Sequence, residues 1–95
     1  SIAHWNVMML IAESTYSEKN HSYEDLCKLV PHRVASRATI QRITNELIEL
    51  DLIEKIIKLD DNRTKYLSFT KKGMKGFEEF VLNEFKVYKA EWIKV

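Results

Sequence analysis

The sequence Asp-Asp-Asn-Arg-Thr-Lys-Tyr-Leu-Ser-Phe-Thr-Lys-Lys-Gly, residues 60–73, decides the fold that we predict. It begins with polar turn formers and continues into a β-prone run at residues 66–69. A second β-prone run, Ile53–Leu59, stands directly before it. Two short strands separated by a polar loop predict a β-hairpin. Thr70, three residues before Gly73, is a favourable N-cap for a helix that follows the hairpin.

The loop of this hairpin, residues 60–65, carries the cations Arg63 and Lys65. Residues 51–76 hold seven cations against four anions, whereas residues 1–30 hold two against four. This basic excess around the hairpin can attract a polyanion although the whole chain has a net charge of only +1. A cationic hairpin tip is typical of a wing that contacts a nucleic-acid backbone. The alternative is a solvated surface of mixed charge.

Composition restricts the remaining classes of function. Ninety-five residues make one domain, and two glycines with one proline favour a mostly helical chain. No apolar run is long enough to span a membrane, and Cys27 alone excludes an internal disulfide and favours a cytoplasmic location. The histidines lack metal-ligand spacing, and no phosphate loop or nucleophile motif is present. We therefore expect no metal, no cofactor and no catalysis.

Two helices are predicted at the start of the chain. The first covers His4–Thr15, and because it is apolar on most sides we expect it to be central and buried. Its expected buried positions are Ile2, Trp5, Met8, Met9 and Ala12. Ser22, with Asp25 three residues later, resembles a capping box for a second helix, Tyr23–Leu29, which Pro31 ends. This second helix is expected to bury Leu26, Leu29 and Cys27.

A third helix, residues 36–50, is capped by Ser36 and carries its polar side chains on one face. The apolar stripe consists of Ile40, Ile43, Leu47 and Leu50, and the opposite face presents Ala38, Gln41, Arg42, Asn45 and Glu49. A short helix, a tight turn and this helix form a helix-turn-helix. Arginine, glutamine and asparagine side chains make bidentate hydrogen bonds to guanine and adenine edges, which favours a recognition helix. Any amphipathic surface helix would also expose such residues.

After the hairpin, an aromatic-rich stripe recurs at three- and four-residue steps. Its members are Phe77, Val81, Phe85, Tyr88, Trp92 and Val95. So long an apolar stripe predicts a helix at residues 77–95 that forms a homodimer interface, separate from a DNA-binding domain at residues 1–76. The alternative is that the stripe folds back onto residues 4–15 of the same chain.

Residues of the hairpin resemble the wing signature of the multiple antibiotic resistance regulator (MarR) family. The matching residues are Asp61, Arg63, Lys65, Phe69, Thr70 and Gly73. The run at residues 36–43 is similar to that family's recognition helix, and the likeness extends over residues 4–76. Asp51 departs from the pattern, because the family often has glycine at the end of this helix.

The resemblance implies a mainly α fold with a small β-hairpin (α+β). It is a winged helix-turn-helix, followed by a long C-terminal helix. It also implies a homodimeric regulator, expected to be a repressor, that binds a double-stranded DNA operator. Arg63 is expected in the minor groove and Asp61 to hold its guanidinium, with Lys65 on the backbone. The expected contacts of the third helix in or beside the major groove are Ser36, Arg37, Ala38, Thr39, Gln41, Arg42 and Asn45.

Two further expectations concern partners. An aromatic-lined crevice between the DNA-binding lobe and the C-terminal helix could hold a small-molecule effector, although no residue selects one. The alternative function is a winged-helix protein–protein interaction module that has kept the fold without binding DNA.

Overall fold

The computed structural model describes the backbone of residues 2–17, 19–58 and 61–93. Side chains are described for the same residues, apart from residue 58 and residues 61–64 and 84–93. The elements are the helices α1 (Ile2–Tyr16), α2 (Tyr23–Leu29) and α3 (Arg37–Glu49), the strands β1 (Ile53–Lys58) and β2 (Asp61–Phe69), and the helix α4 (Lys71–Ile93). This order confirms the predicted fold class, and the predicted domain boundary at residue 76 falls inside α4.

Helix α1 buries a different face from the one predicted. Val7 and Ile11 are fully buried and Ser14 nearly so, whereas Ile2 is 71% and Trp5 46% exposed. Met9 is exposed and Met8 half-buried, so of the five predicted positions Ala12 is the only buried one. Because the helix is apolar on most sides, periodicity alone does not distinguish the buried face. The expectation of a buried helix therefore holds for the face of Val7 and Ile11, and not for the predicted positions other than Ala12.

Hydrogen bonds to the end of α1 select its buried face. The Thr15 hydroxyl donates to the Ile11 carbonyl at 2.8 Å and accepts from the Phe69 backbone N–H at 2.9 Å. In the following loop, the His21 carbonyl accepts from the Leu67 backbone N–H at 2.8 Å. Strand β2 is thus held against α1 and the loop after it, and the polar side chains near the end of α1 are turned inward.

The capping predictions for α2 and α3 are confirmed. Ser22 accepts from the Asp25 backbone N–H, and the Asp25 carboxylate accepts from the Ser22 backbone N–H at 2.9 Å, which completes a capping box. Ser36 accepts from the Thr39 backbone N–H at 3.2 Å. These bonds satisfy amide groups that have no partner inside the helix.

The predicted apolar stripes fail at the ends of these two helices. Leu26, Cys27, Ile40 and Ile43 are buried as expected, but Leu29 is 52% and Leu50 57% exposed. Leu29 ends α2, and the extended backbone at the next residue, Val30, places the Val30 side chain in the core instead. Leu50 is the C-cap residue of α3, where the helical path ends.

The chain leaves α3 through a Schellman turn at Asp51. Asp51 has a φ of 59°, and its N–H donates to the Ile48 carbonyl while the Leu52 N–H donates to the Leu47 carbonyl. Aspartate therefore occupies the left-handed position at which glycine is usual. The turn brings the Leu52 carbonyl to the Thr70 N–H at 3.0 Å, which joins the end of α3 to the start of α4.

Gly73 is required by this junction. A Cβ atom at Gly73 would lie 1.9 Å from the Leu52 carbonyl oxygen, which is an impossible contact between a side chain and backbone. The Thr70 hydroxyl caps α4 by accepting from the Gly73 N–H at 3.0 Å, as predicted. The predicted helix after the hairpin is therefore confirmed, and it begins at Lys71 rather than after Gly73.

The hairpin has the predicted antiparallel pairing, with Ile53 opposite Phe69 and Ile57 opposite Lys65. Strand β2 is longer than predicted, because residues 61–65 lie in the strand rather than in a loop. The ladder shifts register between Ile57 and Lys58. A basic hairpin tip is thus a continuation of the sheet and not a separate polar loop.

Candidate nucleic-acid interface

Helix α3 is fixed in the core by one face and presents the opposite face to solvent. Ile40 and Ile43 are buried, and Thr44 is nearly so, with its hydroxyl donating to the Ile40 carbonyl at 2.8 Å. The exposed face consists of Ala38, Gln41, Arg42, Asn45 and Glu49, as predicted. Because the buried face sets the rotation of the helix, the outward direction of these side chains is defined by packing.

The predicted contacts in the first turn of α3 have local partners. The Ser36 hydroxyl is 3.1 Å from that of Thr39, in addition to its capping bond. Ser36 is exposed and Thr39 half-buried. Both hydroxyls therefore shape the helix start, and Ser36 remains accessible from outside.

Arg37 is bound to a carboxylate of the preceding helix. Its Nη1 and Nη2 atoms donate to the two oxygens of Glu24 at 2.8 and 3.0 Å. This bidentate bond lowers the pKa of Glu24 and raises that of Arg37. Both side chains are 58% exposed, so solvent weakens the attraction between them. Arg37 thus lies where predicted, but its charge is already paired.

Tyr23 holds the same junction from the other side. Its hydroxyl donates to the Arg37 carbonyl at 3.2 Å, and the guanidinium carbon of Arg37 lies 6.0 Å from the centre of its ring. Burial, more than any other cause, raises the pKa of Tyr23. The two helices of the helix-turn-helix are therefore joined by a phenol and an ion pair at the start of α3.

A small polar cavity lies beside the outer face of α3. It has a volume of about 110 Å³ and is lined by Tyr23, Gln41, Thr44, Asn45 and Lys55. Lys55 belongs to β1 and was missing from the predicted site residues. Strand alternation offered a signal, since Lys55 is two residues from the buried Ile53 and so shares its face of the hairpin. The cavity places a cation beside Gln41 and Asn45.

The wing contributes Lys65, which is exposed on β2 opposite Ile57. Arg63 and Asp61 belong to the same strand by their backbone, but their side chains lie outside the described residues. The predicted pairing of Arg63 with Asp61 therefore stays a prediction. What the structure shows is a sheet that extends to the basic segment.

The first part of α4 packs onto its own chain through aromatic contacts. The ring of Phe77 lies 5.2 Å from that of Phe69 and 6.1 Å from that of Tyr16, and the ring of Phe80 lies 5.5 Å from that of Trp5. Phe77 was predicted to face a partner chain, and this correction follows from the aromatic side chains that Tyr16 and Phe69 place beneath it. Phe77 thus packs within its own chain, against Phe69 and Tyr16 rather than against residues 4–15.

Among the remaining predicted interface residues, the structure describes the side chain of Val81 and not those nearer the end of the chain. Val81 is 43% exposed, and its neighbour Leu82 is 57% exposed. Phe85, Tyr88, Trp92 and Val95 have side chains outside the described residues. The exposed large apolar residues of α1 and α4 are named here the outer apolar face: Ile2, Trp5, Met9, Tyr16, Phe80, Val81 and Leu82.

An apolar cavity lies between the helix-turn-helix and α4. Its volume is about 310 Å³, and it is lined by Met8, Leu47, Leu52, Phe69, Gly73, Gly76, Phe77 and Phe80. The predicted crevice is therefore present, with aromatic rings at one side. Within the described ranges, no cluster of side chains could hold a metal ion, and no helix has the length and apolarity needed to cross a membrane.

Several solved structures have a backbone similar to that of this chain. MarR of Staphylococcus aureus in complex with salicylate and kanamycin is 26% identical, with a TM-score of 0.71, over 97% of this chain and 57% of its own. MepR of S. aureus is 17% identical: bound to ethidium bromide it has a TM-score of 0.77 over 98% of this chain and 62% of its own, and in its DNA complex 0.72 over 99% and 72%.

The chain has a MarR-like winged helix-turn-helix fold. It spans about three fifths of the length of the ethidium-bound MepR and of MarR. No model of a protein family and no curated protein matches the sequence. The likeness resides in the path of the backbone and covers 97–99% of this chain.

Proposed function

We propose that this MarR-like chain is a sequence-specific double-stranded DNA-binding transcription regulator and acts as a repressor. The observation that carries the proposal is the outer face of α3, which is polar, exposed and fixed in rotation by the buried Ile40 and Ile43. An α-helix fits the major groove of B-DNA, and side chains of these types distinguish its base pairs. The solved complex of MepR with DNA supports the same use of this fold.

Each part of the interface has a distinct role in this proposal. Gln41 and Asn45 bond to adenine edges, Arg42 bonds to guanine, and the first turn at residues 36–39 approaches the bordering phosphates. Arg63 enters the minor groove with Asp61 as its support, and Lys65 contacts the backbone. The lone thiol fits a cytoplasmic location, where it stays reduced.

The regulator functions as a homodimer in this proposal. Its support is the outer apolar face, on which Leu82 is 57% and Val81 43% exposed although both are large apolar residues. Such a surface is typical of a protein–protein interface. A two-fold homodimer would present two copies of α3, which suits the two half-sites of a pseudo-palindromic operator.

We also propose that the apolar cavity binds a small-molecule effector. A volume of about 310 Å³ suits a compact aromatic compound, and its lining joins α4 to Leu47 of α3 and to the wing residue Phe69. MepR binds ethidium and MarR binds salicylate in their solved structures. Ethidium and salicylate are therefore the probes, with binding followed by calorimetry, and Gly76→Leu is expected to fill the cavity and to abolish binding of both.

The DNA-binding proposal is tested with short random-sequence duplexes over a salt series. Affinity should fall steeply between about 50 and 200 mM salt, and Arg63→Ala should cost about 1–3 kcal/mol and flatten the slope. Lys75→Ala is the control, because it removes one exposed cation from α4 instead of the wing.

Equal losses for the two variants would show a general charge effect and remove the wing from the mechanism. Absence of binding by the unmodified chain at low salt would reject DNA binding and favour the protein-interaction module.

A further inference from the structure

The Glu24–Arg37 ion pair is placed at the point where the helix-turn-helix would approach DNA. Glu24 lies in the first turn of α2 and Arg37 is the first residue of α3. Their two parallel hydrogen bonds of 2.8 and 3.0 Å use the end of the guanidinium. A phosphate group is bound by the same bidentate geometry. Glu24 therefore already accepts from the guanidinium N–H groups with which Arg37 would bind a phosphate.

The two exposed arginines of α3 differ in this respect. Among the described side chains, Arg42 has no carboxylate partner, whereas Arg37 is paired. Arg42 therefore offers its full charge to any DNA sequence that α3 approaches. Arg37 does so only when its bond to Glu24 is given up or when its remaining N–H groups reach the ligand.

The ion pair is weak enough for a phosphate to replace Glu24 as the partner of Arg37. An ion pair between side chains that are 58% exposed is stabilised weakly in water, so a polyanion can displace the carboxylate. The unpaired Glu24 would then be a negative charge close to the DNA backbone. The loss of the bond to Glu24 and the repulsion from its freed charge both oppose the binding of Arg37 to a phosphate, unless base contacts hold α3 in the groove.

We infer that Glu24 is a specificity-determining residue, which competes with DNA phosphates for the Arg37 guanidinium and so weakens the binding of non-operator DNA. This inference rests on the proposed DNA-binding function. It assigns a role to a residue of α2 that makes no base contact itself, and it predicts that removing the carboxylate makes binding tighter and less selective.

The test measures binding of random-sequence duplex to the unmodified chain and to Glu24→Gln over the same salt series. Glutamine keeps the size of the side chain and removes its charge. Affinity at low salt should rise about three- to ten-fold, and the salt slope should steepen by about 0.9, which is the value for one added phosphate contact.

Two double variants separate the ion pair from a general charge effect. In an Arg37→Gln background the gain from Glu24→Gln should disappear, because the competed group is absent. In an Arg42→Gln background the gain should persist. Thermal unfolding of each variant shows that the fold is kept, since both side chains lie at the surface.

The outcomes distinguish the inference from the proposal beneath it. Binding by the unmodified chain with no gain for Glu24→Gln, or an equal gain in the Arg37→Gln background, overturns the role of Glu24 and leaves DNA binding intact. Absence of binding by every variant overturns both. Binding that appears only after Glu24→Gln rejects the proposed function of the unmodified chain and, with it, the inference.

Discussion

The two sides of this molecule treat their surface groups in opposite ways. On the helix-turn-helix side, several polar groups are paired within the chain, by the caps at Ser22 and Ser36 and by the bond of Arg37 to Glu24. On the side of α1 and α4, large apolar groups such as Leu82 remain exposed. The polar pairs of the first surface are made within a single chain, and we propose that the second surface is covered by another copy.

Helix α1 has large apolar residues on both its buried and its exposed face. Ile11 is fully buried in the core of its own chain, while Met9, two residues away, is 43% exposed on the outer apolar face. A helix that is apolar on most sides is expected between two packed layers. We infer that the second layer is supplied by another copy of the chain.

The largest expected effect is that of Ile11→Ala, which should lower the free energy of unfolding by about 2–5 kcal/mol. Its fully buried side chain would leave a cavity. Urea unfolding at two protein concentrations measures the change. Met9→Ala is the control, with a small loss at low concentration and a larger one at high concentration if a partner covers it. If Met9→Ala lowered the free energy of unfolding equally at both concentrations, the distinction between the buried and the exposed face of α1 would be contradicted.

The next effect concerns the partner itself. Val81→Lys adds a charge to the outer apolar face and should weaken self-association at least ten-fold, about 1.4 kcal/mol or more. Sedimentation velocity measures the monomer fraction. Asn83→Lys adds the same charge at a neighbouring exposed position outside that face. A dimer that survives Val81→Lys unchanged, or that Asn83→Lys disrupts equally, would place the interface elsewhere.

The junction between the two sides is tested at its glycines. Gly73→Ala should cost about 1–3 kcal/mol, because the new Cβ meets the Leu52 carbonyl oxygen and the helices must move apart. A Cβ atom at Gly76 would meet nothing within 4 Å, so Gly76→Ala should stabilise the helix by about 0.5–1 kcal/mol. Thermal unfolding separates the two. Similar shifts of the same sign would mean that α4 does not approach Leu52 as described.

The smallest effect comes from the two helix caps. The Ser22 backbone N–H, as the main cause, lowers the pKa of Asp25 from its usual 3.8, so this carboxylate stabilises the fold above that pH and the stabilisation is lost as the pH falls. Asp25→Asn should therefore cost about 0.3–1 kcal/mol near neutral pH and less in acid. Ser36→Ala, which removes a cap without a carboxylate, should cost about 1 kcal/mol at both pH values. Urea unfolding of both variants is measured near neutral pH and in acid. A cost of Asp25→Asn that is the same at both pH values would contradict this role of the carboxylate.

Local signals in the sequence were sufficient for the elements and the caps. Ser22, Ser36 and Thr70 cap the helices that they were predicted to cap, because capping depends on residues three positions apart. The exposed face of α3 was also predictable, because one polar stripe and one apolar stripe leave a single way to bury the helix.

What could not be predicted depends on contacts between distant residues. The bond of Arg37 to Glu24 joins two helices, and no spacing rule within one helix indicates it. The buried face of α1 depends on contacts with β2, far along the sequence, whose Phe69 N–H donates to the Thr15 hydroxyl. Phe77 lies between two rings that come from α1 and β2. In each case tertiary contacts decided among side-chain directions that periodicity left equivalent.

The bonds from β2 to α1 and its loop have a further consequence, for aggregation. A two-stranded sheet has unpaired backbone groups along its outer edges, and these recruit strands from other molecules. At residues 67 and 69 the outward N–H groups of β2 are already donated, to the His21 carbonyl and the Thr15 hydroxyl. A foreign strand would have to displace α1 to pair there. The Thr15 hydroxyl and the His21 carbonyl thus block strand addition at this part of the edge of the two-stranded sheet.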